Sequence, residues 1–196
     1  DTQQASELLT RNLGVAVDLI RSFKQVAVDR TRAQRREFQL DAMLHETLLI
    51  LSPSLKRSTH HIEVDVPAGI AMTSYPGQLG QVLTNLINNA VLHGYTDHER
   101  GVIRISARLL SDGMVELVVA DDGVGVPEAN LQRIFDPFFT TRLGQGGSGL
   151  GLNIVYNLMK DVLGGTVQVH STLGVGTRFV LLTPRVAPDS LDSDDD

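Results

Sequence analysis

Cysteine is absent from the 196 residues of this sequence, so disulfide bonds and thiolate metal sites are excluded. The sequence also lacks any apolar run near the ~18 residues that cross a bilayer, and its N-terminus has no signal-peptide pattern. These absences suit a reducing compartment, and we predict a cytoplasmic domain. Because the chain begins at Asp1, we expect a segment of a longer protein, whose membrane topology the sequence leaves open.

An excess of basic charge is also lacking, since 17 lysines and arginines stand against 23 aspartates and glutamates. Five of the acidic residues lie in the last eight positions, and without them the chain is nearly neutral. A nearly neutral folded part argues against a nucleic-acid surface. We predict that residues 187–196 form an acidic disordered tail. Its carboxylates are those of Asp189, Asp192, Asp194, Asp195 and Asp196.

The N-terminal residues carry an apolar stripe with heptad-like spacing. The spacing predicts one long helix from about Thr2 to Ala33. Such a helix must bury its stripe in a helical bundle, in a dimer or against its own domain. Together with the charged junction Asp29–Glu37, it defines an N-terminal region of residues 1–36. The stripe consists of Leu9, Leu13, Ala16, Ile20, Phe23 and Ala27.

Residues 37–186 show strand and helix patterns that alternate along the chain. Antiparallel pairs come late, around the turns Ser111–Gly113 and Leu173–Gly174. This order favours a two-layer α/β (α+β) sandwich with a mixed sheet over a doubly wound parallel sheet. The predicted helices run from a cap at Asp41 to about Leu55, from Pro76 to about His93 before Gly94, and from Ser148 to Leu163; the predicted strands are Phe38–Leu40, Ile62–Val66, Ala71–Ser74, Val102–Leu110, Met114–Ala120, Thr166–His170 and Thr177–Thr183.

Three asparagines lie on the otherwise apolar helix predicted after Pro76. Asn85 and Asn89 are four residues apart and therefore share a face, and Asn88 lies beside them. Amides on such a helix cost desolvation energy unless they find partners. Their oxygens suit Mg²⁺ where phosphates already supply the negative charge. From these residues alone, helix–helix or capping hydrogen bonds explain the amides equally well.

The segment Asp121–Gly125 places a carboxylate and two glycines directly after the apolar run Met114–Ala120. Asp121 can accept a hydrogen bond from an exocyclic amine such as that of adenine. Gly123 and Gly125 let the backbone turn sharply and approach a base closely. Taken alone, such a segment is more often an acidic turn that closes a strand.

The glycine run Gly144–Gly151 precedes the last predicted helix. It is neither a P-loop nor a dinucleotide fingerprint, because it lacks the lysine of the first and the βαβ unit of the second. We expect a mobile lid over about Gln132–Gly147, hinged on glycines, with backbone amides that reach phosphates. Phe135, Phe138 and Phe139 are expected to clamp this lid to the core.

In their order and spacing these segments resemble the boxes of the histidine-kinase catalytic domain, in the superfamily that also contains the gyrase, Hsp90 and MutL ATPases. The resemblance covers about Phe38–Pro184 and implies a Bergerat-type ATP-binding fold. The matching segments are Leu83–Ala90 (N box), Asp121–Gly125 (first glycine box), Phe135–Thr141 (F box), Gly146–Leu152 (second glycine box) and Gly174–Phe179 (third glycine box).

The resemblance also assigns roles to individual residues. It implies that Asn89 binds Mg²⁺ and that Asn85 lies close to the phosphates of ATP, so these two asparagines are the expected catalytic residues. Asp121 would hold the adenine amino group, and Thr177 would support the same region through its hydroxyl. The other expected nucleotide-binding residues are His93, Gly123, Gly125, Arg142, Gly147, Ser148, Gly149, Leu150 and Gly151.

Two features depart from the family pattern. Leu92 stands where many members carry a basic residue on the phosphates, and Arg142 is expected to supply that charge instead. The family phosphorylates a histidine on the first helix of a dimeric hairpin. His45 has the acidic neighbour of such a histidine but lies in a later helix. The helix predicted over Thr2–Ala33 resembles the second helix of the hairpin, so we expect the acceptor histidine outside this chain.

The resemblance therefore implies the ATP-binding catalytic domain of a two-component sensor histidine kinase. It implies ATP and Mg²⁺ as cofactors, and the phosphoacceptor helix, a response regulator and a second copy of the parent as partners. One alternative is a slow ATPase or serine kinase of the same superfamily; Asn85 stands where gyrase-like and Hsp90-like members carry a water-activating glutamate. Another is a nucleotide-responsive dimerisation or scaffold module without phosphoryl transfer.

Overall fold

The computed structural model describes residues 34–55, 60–95, 101–142 and 147–189. The helix predicted over Thr2–Ala33 and residues 190–196 of the predicted tail lie outside the described residues. So do residues 143–146, which belong to the predicted lid. Among the described residues, no helix combines the length and the apolar character that crossing a membrane requires.

Seven strands in the described residues form two sheets. They are β1 (Arg36–Gln39), β2 (His61–Asp65), β3 (Ala71–Ser74), β4 (Val102–Leu109), β5 (Met114–Asp121), β6 (Thr166–Thr172) and β7 (Gly176–Pro184). The larger sheet has the order β2-β4-β5-β7-β6, with β2 parallel to β4 and the other neighbours antiparallel. The smaller sheet pairs β1 with β3. The larger sheet is therefore mixed, as the sequence predicts.

Helices cover one face of the larger sheet. They are α1 (Leu40–Leu55), α2 (Pro76–Asn89), α3 (Glu128–Leu131) and α4 (Gly151–Asn157). α2 continues as a π-helical turn over Ala90–Gly94, and α4 continues as another over Leu158–Val162. Pro76 suits the first position of α2, because a helix has no partner for the N–H of that position.

The core lies between the helices and the inward face of the larger sheet. Alternate residues of β4 and β5 point toward it, as the two-residue period of a strand requires. Ile103 and Ile105 of β4 and Leu117 of β5 are fully buried, and so are Leu83 and Leu86 of α2. This packing confirms the predicted two-layer α/β sandwich.

Some element boundaries differ from the sequence prediction. α1 begins at Leu40, so Asp41 lies in its first turn instead of capping it. α4 begins at Gly151 rather than Ser148, because Gly149 has a φ of +70° and a right-handed helix cannot pass through that conformation. No pattern predicts α3, since four residues are too few for a periodic signal.

Residues that follow β7 pack against the smaller sheet. The N–H of Thr73 donates to the carbonyl of Arg185 at 2.9 Å, and the N–H of Ala187 donates back to the carbonyl of Thr73 at 2.9 Å. Ala187 is buried, and Arg35 both donates to its carbonyl at 3.0 Å and pairs with Asp189 at 2.9 Å. Residues 187–189 thus contact the domain, whereas composition alone predicts that the tail begins at residue 187.

Candidate functional site

Two adjoining cavities lie beside α2 and its π-helical end. The large cavity has a volume of about 410 Å³ and reaches Asp121 and Thr177. The small cavity has a volume of about 210 Å³ and reaches Asn85 and the segment that begins at Gly147. The residues that line both cavities are Asn89, His93, Ile134, Phe139, Thr140 and Leu152. The shared wall makes the two cavities one elongated site.

Asp121 is the last residue of β5, and the two oxygens of its carboxylate have different surroundings. Its Oδ1 accepts hydrogen bonds from the N–H of Gly123 at 3.0 Å and from the N–H of Thr177 at 3.3 Å. Burial raises the pKa of Asp121, and these two backbone N–H groups partly offset that effect. Thr177 lies directly opposite Asp121 in the ladder between β5 and β7. The second oxygen of the carboxylate is therefore available at the end of the large cavity.

Two glycines of the predicted adenine loop allow its close backbone contacts. A Cβ added to Gly123 would lie 2.0 Å from the carbonyl oxygen of Gly94, and Val124 donates to that same oxygen at 2.7 Å. Gly125 has a φ of +72°, and a Cβ there would lie 2.2 Å from the carbonyl oxygen of Thr172. Gly125 lines the large cavity, whereas Gly123 lines neither cavity and lies against Gly94, which lines the large one.

The asparagines of α2 meet at the small cavity. Asn85, Asn88 and Asn89 all line it, and one helical turn separates Asn85 from Asn89. Asn85 approaches the start of α4, because a Cβ added to Gly151 would lie 3.5 Å from its Oδ1. No group of three or more His, Cys, Asp or Glu that could hold a metal occurs in the described ranges. Neutral amides thus dominate the polar wall of this cavity.

The described part of the glycine run closes the small cavity. Four of the predicted nucleotide-binding residues line it, namely Gly147, Ser148, Gly149 and Gly151. The Oγ of Ser148 accepts a hydrogen bond from the N–H of Leu150 at 3.3 Å, which bends the chain into α4. Leu150 itself lines neither of the two cavities, so the structure does not bring this predicted residue to the site.

His93 and Arg142 lie side by side at the large cavity. The Nδ1 of His93 is 3.2 Å from the hydroxyl of Thr141. Burial lowers the pKa of His93, and the nearby charge of Arg142 lowers it further. Arg142 donates through Nη2 to the carbonyl of Tyr95 at 2.9 Å and does not line the small cavity. Its charge therefore lies at the large cavity, which Asn89 also lines, and not at the small cavity with Asn85 and Asn88.

The predicted aromatic clamp is wrong in one of its three members. Phe135 and Phe139 pack against the core, and Phe135 meets Phe179 edge to face at 6.5 Å between ring centroids. Phe138 is 55% exposed and has a φ of +66°. It contacts the glycine run through its backbone, since its N–H donates to the carbonyl of Gly149 at 2.9 Å. The turn forced by this contact points the ring outward.

Sequence patterns did not predict a network around Tyr95. Its hydroxyl donates to Oδ1 of Asp122 at 2.9 Å, and the N–H of Val102 donates to the same oxygen at 2.8 Å. Burial alone would raise the pKa of Asp122, but these two hydrogen bonds, together with one from its own backbone N–H and the charge of Arg104, outweigh burial, so the pKa lies below its usual value. His60 stacks on the ring of Tyr95 at 4.2 Å between centroids. These hydrogen bonds hold Asp122, the residue that follows Asp121, in place.

A protein-family comparison decides the kind of site. The family described as "Histidine kinase-, DNA gyrase B-, and HSP90-like ATPase" matches residues 75–187, a range that includes both cavities. The chain belongs to this ATPase family. The helix with the asparagines, the loop at Asp121 and the glycine run, which line the two adjoining cavities, all lie within the matched range.

Curated relatives of this ATPase domain are sensor kinases. Identity is 33% over 181 residues with the Vibrio cholerae autoinducer 2 sensor kinase/phosphatase LuxQ, covering 88% of this chain and 20% of that protein. It is 34% over 144 residues with the Klebsiella oxytoca sensor histidine kinase ZraS, covering 74% and 30%. The chain thus spans less than a third of either relative, and it corresponds to the ATPase domain of sensor histidine kinases.

Solved structures agree with this assignment of the ATPase family. The catalytic domain of the histidine kinase ThkA matches with a TM-score of 0.68 and 25% identity, over 78% of this chain and 97% of that one. Full-length ShkA in complex with AMPPNP matches with a TM-score of 0.64 and 30% identity, over 77% of this chain and 31% of that one. The fold is therefore that of histidine-kinase catalytic domains.

Proposed function

We propose that this chain is the ATP-binding catalytic domain of a two-component sensor histidine kinase. It binds Mg-ATP and transfers the γ-phosphate to a histidine on a separate phosphoacceptor helix. Its partners are that helix in the parent protein, a second copy of the parent in a homodimer, and a response regulator. The proposal takes the family assignment as its base and adds the reaction and the roles of individual residues.

The observation that carries the proposal is the pairing of two chemically different cavities that share Asn89 and His93. The large cavity ends at the carboxylate of Asp121, which suits an amino group on a base. The small cavity offers amides and glycine backbone, which suit phosphate oxygens. A nucleoside triphosphate has the same two ends. The ATP analogue AMPPNP in the ShkA complex supports this interpretation.

The residues around the small cavity fit a magnesium ion that is bound together with phosphates. Mg²⁺ takes oxygen ligands and is usually held through few protein groups plus substrate phosphates. Asn89 is the proposed protein ligand, and Asn85 contacts the phosphates beside it. When bound, Mg²⁺ neutralises charge on the phosphate oxygens. Because the asparagines are neutral, the negative charge at this site would come from the phosphates, and the ion would bind mainly to the substrate.

Positioning accounts for most of the catalysis in phosphoryl transfer. In this proposal Asp121 fixes the base, the amides of the glycine run hold the phosphates, and the neutral ring of His93 borders both. No aspartate or glutamate lines the small cavity, so no carboxylate among the described residues stands ready to activate water there. This favours transfer to a histidine over rapid hydrolysis of ATP, and any activity as an ATPase, the alternative named above, would be slow.

Calorimetric titration of Mg-ATP into the Asp121→Asn variant tests the proposal. We expect one binding site on the unaltered chain, and a Kd raised roughly 10- to 100-fold by the substitution. The side-chain oxygen of the introduced asparagine would be held by the two backbone N–H groups, so its NH₂ would face the amino group of adenine.

The matched control is Asp112→Asn, which alters a carboxylate in the exposed turn between β4 and β5. It should bind Mg-ATP as the unaltered chain does. Absence of saturable binding to the unaltered chain would overturn the proposal, and so would equal Kd values for the two variants.

A further inference from the structure

Ser171 lies on β6 behind the adenine end of the site and has three hydrogen-bonding neighbours. Its Oγ accepts from the N–H of Val126 at 2.8 Å. It donates to the carbonyl of Gly176 at 2.9 Å. It also lies 3.0 Å from the hydroxyl oxygen of Thr177. Sequence patterns gave this serine no role, and it lines neither cavity.

The direction of these hydrogen bonds follows from the number of hydrogens. A serine hydroxyl has one hydrogen and two lone pairs. The carbonyl of Gly176 can only accept, so it takes the hydrogen of Ser171, while the N–H of Val126 fills one lone pair. The contact with Thr177 must then use the hydrogen of Thr177. The hydroxyl of Thr177 is left with lone pairs only.

Thr177 presents those lone pairs next to Asp121. The two residues lie opposite each other in the β5–β7 ladder, and both line the large cavity. Residues directly opposite in such a ladder have Cβ atoms about 5 Å apart. Because Oδ1 of Asp121 already accepts two backbone hydrogen bonds, its other oxygen is the one left to accept a hydrogen bond from a ligand. The end of the cavity therefore offers two acceptors and no hydroxyl donor from this pair.

We infer that Ser171 is a positioning residue for base selection: it holds the Thr177 hydroxyl as an acceptor, so the site favours a purine with a 6-amino group over one with a 6-oxo group. An amino group brings two hydrogens to the two acceptors. A 6-oxo group places its lone pairs against theirs. The inference rests on the proposed binding of an adenine nucleotide at Asp121 and adds the residue that fixes the direction of the hydrogen bond.

The test measures Kd for Mg-ATP and for Mg-ITP, which carry the same sugar and phosphates. ATP has a 6-amino group and no hydrogen on N1, whereas ITP has a 6-oxo group and an N1–H. In Ser171→Ala, the Thr177 hydroxyl loses its acceptor and can turn its hydrogen toward the cavity. We expect the ratio of Kd(ITP) to Kd(ATP) to fall about three- to tenfold, the size of one hydrogen bond. Ser171→Thr keeps the hydroxyl and should restore the ratio.

Ser111→Ala, in the exposed turn between β4 and β5, is the matched control and should keep the original ratio. If Ser171 had a purely structural role, Ser171→Ala would weaken the binding of both nucleotides equally. An unchanged Kd ratio in that variant would overturn this inference and leave the proposed function standing. If Ser171→Ala does not fold, Thr177→Val removes the hydroxyl that Ser171 is inferred to hold as an acceptor, and an unchanged ratio in that variant would also overturn the inference. Failure of the unaltered chain to bind ATP would overturn the proposed function and this inference together.

Discussion

At the residue scale, Gly125 connects the fold and the adenine end of the site. It has a φ of +72°, and a Cβ there would lie 2.2 Å from the carbonyl oxygen of Thr172. Gly113, in the turn between β4 and β5, has a φ of +81° but no atom within 4 Å of an added Cβ. The two glycines therefore share the backbone strain that a side chain would cause, but only Gly125 adds a steric clash.

Gly125→Ala and Gly113→Ala separate these two effects. We expect Gly113→Ala to lower the free energy of unfolding by about 1 kcal/mol, the cost of a left-handed conformation without glycine. Gly125→Ala should lower it by about 3 kcal/mol or more, because backbone atoms must also move. Urea denaturation measures both values, and Mg-ATP titration should show lost affinity for Gly125→Ala alone. Equal losses of stability would contradict the close approach to Thr172.

At the scale of elements, the chain segment after β7 stabilises the smaller sheet. Ala187 and Thr73 form a backbone hydrogen bond at 2.9 Å, and Arg35 reaches across to Ala187 and Asp189. The ion pair is partly exposed and contributes little by itself. The backbone hydrogen bonds and the burial of Ala187 provide most of the stabilisation, so the segment acts as an additional edge to β3.

Truncation tests the role of this segment. Ending the chain after Pro184 removes the segment, and we expect the free energy of unfolding to fall by about 2–4 kcal/mol, since buried backbone groups of β3 lose their partners. Ending it after Asp189 removes residues 190–196, whose composition predicts a tail, and should change stability by less than about 0.5 kcal/mol. Urea denaturation distinguishes the two. Equal effects would show that the segment does not stabilise β3.

At the scale of the whole molecule, the proposed nucleotide site lies at one end of the larger sheet, and neither His45 nor His93 is placed to act as the phosphoacceptor. His45 is exposed on α1 and lines neither cavity, whereas His93 lies within the site itself. Phosphoryl transfer needs an acceptor that approaches the γ-phosphate in line. We therefore expect the acceptor to come from another helix, which docks at the open side of the small cavity.

Labelling with γ-³²P-ATP tests this arrangement. The chain alone should gain no acid-labile phosphoryl group, whereas a separately produced phosphoacceptor hairpin of the parent protein should become labelled when the chain and Mg²⁺ are present. Asn89→Ala should reduce that labelling at least about 100-fold, because positioning of the phosphates is lost. Acid-labile label on the chain itself that disappears in His45→Gln would contradict the expectation.

The sequence by itself predicted the fold class, the seven strands and three of the four described α-helices, and most of the residues that it named for the site line one of the two cavities. The spacing of apolar residues predicts strands and helices from neighbouring positions alone. Glycines likewise indicate that Asp121–Gly125 and Gly147–Gly151 are loops, because their signal is also local in the sequence. Only the tertiary structure decided the outward ring of Phe138, the Tyr95–Asp122 network and the contact between the hydroxyls of Ser171 and Thr177. Those features depend on contacts between residues far apart in the chain, such as Asp121 and Thr177, which are 56 positions apart, and local patterns do not encode which distant hydrogen-bond partners will meet.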